Sequence, residues 1–188
     1  MISVIFVTGS PVHRKANIAS LEATNPEVEY IAVDAYDVVH KAVGWNAGAK
    51  TASGETLLFV DDDIIWTDEI VIPDKELFGP SPLHPHHIGY EPYGKVRLIH
   101  PWLDGWCIGV SRRLYDEVGG FDEKFKFSGM LDADFCVSCS KVGVIPYKWK
   151  FPGRHLSAHT KYTLNPDHDK TRIENIKYLV AKWNLEVA

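Results

Sequence analysis

The chain has no excess of basic charge, no long apolar run and only three cysteines, and each shortage removes a class of function. Its 20 Lys and Arg stand against 25 Asp and Glu, a formal charge of −5. That balance carries no electrostatic footprint for nucleic acid and disfavours a nucleic-acid acceptor, although a local basic patch is compatible with it. No apolar stretch approaches the ~20 residues that span a bilayer. The opening run Met1-Ile-Ser-Val-Ile-Phe-Val7 lacks a basic flank and a cleavage site, so it reads as a first strand rather than a signal peptide. An odd cysteine count argues against a disulfide framework and fits a reducing, cytoplasmic setting. Cys136-Val-Ser-Cys139 has no second pair and falls in a helical pattern, where both thiols simply face the core. Internal repeats, low-complexity tracts and linkers are also missing. What remains is an ordinary globular composition, 45% hydrophobic and 24% charged, over 188 residues. It is most simply one domain, residues 1–188, with a sizeable core.

Punctuation of the chain divides it into elements. Ile2 to Val7 predicts a strand, followed by the turn Thr8-Gly9-Ser10 and a helix from Pro11 to about Ala23, which Asn25-Pro26 closes. Val28 to Val33 predicts a second strand ended by Asp34, then a helix from about Asp37 to Ala52 stopped by Gly54, then a strand from Thr56 to Val60. This β-α-β-α-β order argues for parallel strands joined by right-handed crossovers. In such sheets ligands bind beyond the carboxyl ends of the strands, where Thr8, Gly9, Asp34 and Asp61 to Asp63 all fall.

Prolines, glycines and histidines break the pattern from Pro73 to Gly94, which reads as a long functional loop. His84-Pro-His86-His87 within it has no carboxylate or cysteine partner and reads as solvent-facing rather than metal-binding. Short strands are expected at Val96–His100 and Trp106–Val110, then a helix capped by Ser111, running to Val118 and stopped by Gly119-Gly120. Leu131, Phe135, Cys139 and Val142 recur at helical spacing; a strand at Val144–Trp149 and a helix at about Lys170–Trp183 complete the chain.

Asp61-Asp62-Asp63 is the most informative feature. At ~4 Å and an effective dielectric of ~20, each like-charge pair costs on the order of 4 kcal/mol, so a positive partner is expected. Strand side chains alternate, which puts Asp61 and Asp63 together and turns Asp62 away. Two aligned hard-oxygen ligands suit Mg²⁺ or Mn²⁺; the plain alternative is a solvated acidic turn.

The run from Asn46-Ala-Gly48 through Ala52-Ser-Gly54 to Asp61-Asp-Asp63 is followed in order by three others. These are Gly119-Gly-Phe-Asp-Glu123, Leu131-Asp-Ala-Asp-Phe135 and Asn175-Ile-Lys-Tyr-Leu-Val-Ala-Lys-Trp183. In that order they resemble glycosyltransferase family 2 and its relatives with the A-type glycosyltransferase (GT-A) fold. The resemblance implies an α/β, Rossmann-like fold with a mostly parallel sheet flanked by helices. About 1–63 would form the nucleotide-binding half and about 95–188 the acceptor and catalytic half. It implies a metal-dependent, inverting transfer from a nucleotide-diphosphate sugar, a UDP- or GDP-sugar, to a glycan or other hydroxyl acceptor.

Residue by residue, the resemblance assigns Thr8, Gly9, Asp34, Asn46, Asp61 and Asp62 to the donor nucleotide. It makes Asp63, with Asp61, a ligand of the divalent cation. A histidine after the last strand would complete the metal site; spacing does not separate His155 from His159, and His159 is favoured for the polar residues after it. Arg154 and Lys161 would meet phosphate oxygens, or else are surface charges. Asp132 would be the general base, with Asp134 as second choice; capping of the helix is the structural alternative. Trp102, Asp104 and Trp106 would wall the acceptor site, the alternative being a core aromatic pair with a turn aspartate. Two departures stand out: Trp45 replaces the arginine that often precedes the family's Asn, and Leu131 replaces the usual Glu.

Overall fold

The computed structural model describes residues 1–34, 40–80, 87–89, 94–98, 101–127, 129–156 and 167–188. Strands β1 (Ile2–Thr8), β2 (Glu29–Asp34) and β3 (Thr56–Asp61) alternate with helices α1 (Pro11–Thr24) and α2 (Lys41–Thr51). Strands β4 (Ile64–Trp66), β5 (Leu77–Pro80), β6 (His87–Gly89), β7 (Lys95–Arg97) and β8 (Cys107–Ser111) follow. Helices α3 (Arg112–Val118) and α4 (Leu131–Lys141), strands β9 (Tyr147–Trp149) and β10 (Gly153–His155), and helix α5 (His168–Trp183) complete the described chain. Among the described residues no helix is long and apolar enough to cross a membrane.

The six-stranded central sheet runs β2-β1-β3-β8-β5-β9. β1 pairs parallel with both β2 and β3, and β5 pairs parallel with β9; β8 alone is reversed, antiparallel to its neighbours β3 and β5. The sheet is therefore mostly parallel, with helices on both faces. Side-chain alternation sorts the layers: Val4, Phe6, Leu58 and Val60 pack with Leu21 of α1, while Ile5, Leu57 and Phe59 pack toward α2, α4 and α5. Helix α2 approaches through its glycines. A Cβ on Gly44 would come within 2.4 Å of Val7, and one on Gly48 within 2.4 Å of Ile5.

The expected loop at Pro73–Gly94 needs correction. Leu77–Pro80 is a fully buried core strand, paired with β8 and β9. Its Gly79 and Pro80 look like turn residues. Yet Gly79 lies where a Cβ would press into Leu103, and Pro80 sits at the strand's end. His87–Gly89 and Lys95–Arg97 form a separate ribbon, and residues 81–86, with His84 and His86, lie outside the described residues. The second helix begins at Lys41 in the described chain, residues 35–39 being outside it. All three cysteines are buried free thiols, and burial raises the pKa of each.

Candidate metal and catalytic site

Strand β3 ends at Asp61, and the chain turns through Asp62 and Asp63 into β4. Strand β10 lies antiparallel on β4 with His155 opposite Ile64, and the Leu156 N–H donates to the Asp63 carbonyl at 2.9 Å. That pairing delivers the imidazole. His155 Nε2 is 3.1 Å from Asp63 Oδ1 and 3.9 Å from Asp61 Oδ2. Burial works against a charged imidazole here, but Asp63 and Asp61 outweigh it and hold the His155 pKa above its ordinary value. The Trp106 ring stacks on the imidazole at 4.7 Å and 8°, and its carbonyl accepts the Asp61 N–H. One ligand atom each from Asp61, Asp63 and His155 lie within 4.8 Å of one another. Two carboxylates and an imidazole converging this closely fit a hard divalent ion such as Mn²⁺ or Mg²⁺.

Asp62 faces the other way. Its Oδ2 accepts from the Gly9 N–H at 2.9 Å, the Ser10 N–H at 3.0 Å and the Thr8 hydroxyl at 3.1 Å. It is the anchor of the β1–α1 turn, so the donor contact expected of Asp62 gives way to a structural one. Thr8 and Asp34 are register partners at the ends of β1 and β2, and Asp34 is exposed there. Asn46 is also reassigned: its amide donates to the Phe121 carbonyl and Glu123, and its oxygen accepts from the Phe121 N–H and the Tyr115 hydroxyl. All four hydrogen-bonding positions are filled within the protein, leaving none for a ligand.

The Gly-Gly-Phe-Asp-Glu segment exists to reach this amide. Gly119 ends α3 in the left-handed region, and Gly120, also left-handed at φ 75°, has no room for a Cβ beside Tyr115 and Asn46. Phe121 then enters an aromatic cluster with Trp45, Phe59 and Phe135.

Helix α4 places two carboxylates in its first turn, and neither occupies the N-cap, which is Met130. Asp132 accepts the Gly105 N–H at 2.8 Å and the Ala133 N–H at 2.9 Å. Burial pushes its carboxyl up to about 6; the two N–H groups and Lys41 oppose the rise, and Asp104 adds to it. Asp134 is instead bound to Lys182 at 2.8 Å and to the Trp183 indole N–H at 2.7 Å, both from α5. Lys182 also holds Asp122, which accepts from Tyr178. Asp134 thus fastens two helices together, while among the described residues Asp132 is hydrogen-bonded to backbone alone.

Of the acceptor residues expected from sequence, Trp102 is buried in the core and Asp104 is exposed. Trp106 supports His155 rather than forming a pair with Trp102. Arg154 is exposed and, one residue from His155 on a strand, projects from the opposite face, so it does not join the cluster. His159 and Lys161 lie outside the described residues. Sequence reading missed Lys41. Its ammonium donates to Asp61 and, at 2.6 Å, to the Gly105 carbonyl, and lies 4.3 Å from the centroid of Trp45. Nothing in the local sequence signals it, because the chain runs the length of α2 and returns along β3 before Asp61 comes back beside Lys41.

No model of a known protein family matches the chain. Part of it is 28% identical to the O-antigen biosynthesis protein RfbC of Myxococcus xanthus, covering 45% of this chain and 9% of that protein's length. Among solved structures, it is similar to the mannosyltransferase PcManGT from Pyrobaculum calidifontis in complex with GDP-Man and Mn²⁺. The match has a TM-score of 0.61 at 13% identity, over 94% of this chain and 64% of that one. A mutant of Drosophila β1,4-galactosyltransferase 7 with manganese, UDP-Gal and xylobiose superposes with a TM-score of 0.63 at 14% identity, over 91% and 79%. Residues 1–349 of S. aureus TarS superpose at 0.55 and 15% identity, over 96% and 72%. The chain has the GT-A glycosyltransferase fold.

Proposed function

We propose that the chain is a metal-dependent glycosyltransferase that moves a sugar from a UDP- or GDP-sugar to a hydroxyl acceptor. The observation that carries this reading is the convergence of Asp61, Asp63 and His155 beyond the carboxyl end of β3, on a sheet of GT-A fold. These three residues would hold Mn²⁺ or Mg²⁺, which when bound neutralises charge on the departing diphosphate. Asp34 and the turn Thr8–Gly9, anchored from beneath by Asp62, line the space beyond β1 and β2 for the base and ribose. Residues 1–63 would thus serve the nucleotide and 95–188 the acceptor.

Asp132 is the group suited to take the acceptor's proton. It is buried, held by backbone donors on a helix start, and its carboxyl titrates near the range where a base is useful. As the acceptor oxygen attacks the anomeric carbon, its proton passes to Asp132 and the bond to the diphosphate breaks on the opposite face. The bonding pair leaves with the nucleoside diphosphate, and the anomeric configuration inverts. Asp104, exposed and near enough to raise the Asp132 carboxyl electrostatically, would orient the acceptor hydroxyl.

Incubation with a panel of UDP- and GDP-sugars, Mn²⁺ and simple glycan acceptors tests the reading. Release of nucleoside diphosphate from one donor, abolished by chelator and by Asp63→Asn, is the expected result. Release of pyrophosphate would point instead to a nucleotidyltransferase, and an untouched donor that binds equally well with chelator would overturn the proposal.

A further inference from the structure

The site carries a cation of its own. Lys41 opens α2, and its ammonium is shared between an Asp61 carboxylate oxygen and the Gly105 carbonyl, which it reaches at 2.6 Å. The side chain is 15% exposed and lies along the Trp45 ring one turn further on, which fixes the ammonium from beneath. The same glycine donates its N–H to Asp132 at 2.8 Å. A Cβ at Gly105 would sit only 2.8 Å from that accepting oxygen, so the peptide and the carboxylate meet without slack. The start of α2 is tied to the approach to α4 a second time. The Lys41 N–H donates to the Phe127 carbonyl at 2.9 Å, and His40 Nδ1 accepts the Phe127 N–H at 2.9 Å. Phe127 and Met130, both with left-handed backbones at φ 55° and 67°, lie in the short segment that leads into α4. Such conformations persist where surrounding contacts impose them.

One ammonium therefore connects a carboxylate of the metal cluster to the peptide that carries Asp132. We propose that Lys41 is a positioning residue that links Asp132 to the Asp61–Asp63–His155 cluster and offsets part of that cluster's negative charge. The inference rests on the functional reading above, in which the cluster holds a divalent ion and Asp132 is the base. It has two consequences of opposite sign. Removing the ammonium leaves the cluster more negative and frees Asp61, so a divalent ion binds more tightly. It also withdraws a positive charge from Asp132 and loosens Gly105, leaving Asp104 as the dominant charged neighbour, so the base holds its proton to higher pH and transfer slows.

The experiment compares native protein with Lys41→Met and Lys41→Arg. It uses Mn²⁺ binding by electron paramagnetic resonance, Asp132 titration by carbon-13 carboxyl resonances in metal-free protein, and kcat and KM. In Lys41→Met, Mn²⁺ should bind about tenfold more tightly, the order set by removing one like charge from a partly buried cluster. The Asp132 midpoint should rise and kcat should fall more than KM changes. Lys41→Arg, which keeps the charge, should bring the Asp132 midpoint back toward native. A folded Lys41→Met with native Asp132 titration and native Mn²⁺ affinity overturns the proposal, as does an arginine variant indistinguishable from methionine. If Lys41→Met does not fold, Lys41→Gln decides: its amide keeps a donor toward Gly105 without the charge, so Mn²⁺ should bind more tightly and the Asp132 midpoint should rise, and native values of both overturn the proposal. A native protein that binds no Mn²⁺ would sink the glycosyltransferase reading, while the metal-free titration still judges the Lys41–Asp132 connection.

Discussion

Asp132 and Asp134 are two positions apart on α4, and their surroundings give them opposite tasks. Asp132 accepts two backbone N–H groups and has its carboxyl pushed by burial up to about 6, above the ordinary carboxylate value. A base must be ionised to act, so kcat/KM should rise with pH through an acid limb near 6 and level off above it. The stability contribution has the reverse sign: because the fold favours the protonated form, that contribution is full below the ordinary carboxylate value of 3.8 and is lost as pH rises to about 6. Asp132→Asn should lower transfer by roughly two to four orders of magnitude. Asp134→Asn should leave transfer largely intact but lose about 1–3 kcal/mol in urea unfolding, because a buried partner of Lys182 and Trp183 is weakened. An Asp134→Asn variant that folds normally yet cannot transfer would reverse the two assignments. Both carboxylates were visible in the sequence; their difference was not. It is set by Gly105, 27 residues upstream, and by α5, 48 residues downstream, and no local spacing reports either. The same holds for His155, which the pairing of β10 on β4 brings to Asp63.

At the scale of elements, the β-α-β-α-β start was legible because hydrophobic periodicity and glycine or proline stops agree with one another there. β5 was hidden because four residues containing Gly and Pro carry no period, and its place is fixed by burial between β8 and β9. The Asn46-Ala-Gly48 and Gly-Gly-Phe-Asp-Glu segments were legible as motifs, but a motif does not declare whether it binds ligand or holds the fold. Here Gly44 and Gly48 bring α2 onto β1, and Asn46 ties α2 to the turn after α3. Asn46→Ala should therefore act on stability, by about 3 kcal/mol or more, since buried Phe121 backbone groups lose their partner. Nucleotide affinity measured by calorimetry under conditions where the variant remains folded should stay native. A variant of native stability with lost nucleotide binding would return Asn46 to the donor pocket.

For the whole molecule, topology concentrates charge at one edge of the sheet, and the chain handles that charge in two different ways. Asp62 is satisfied permanently by three donors of the β1–α1 turn, so its charge is part of the folded framework. Asp61 and Asp63 are offset by Lys41 and His155, groups that leave both carboxylates near enough to His155 to share an ion. The two kinds of carboxylate separate in thermal unfolding. At free Mn²⁺ of 100 times its dissociation constant, a single-site ligand adds ~2.7 kcal/mol to the folded state. For a chain of this size that corresponds to a midpoint rise of roughly 5–10 °C. Asp63→Asn should leave the metal-free midpoint near native or higher, because a crowded negative charge has gone, and should erase most of the Mn²⁺ increment. Asp62→Asn should do the reverse. Its metal-free midpoint should fall, since an amide cannot accept from all three donors with a charged oxygen's strength, while the Mn²⁺ increment persists. If both variants lose the increment equally, the strand end binds metal as one diffuse acidic patch, and the division between framework and ligand carboxylates fails.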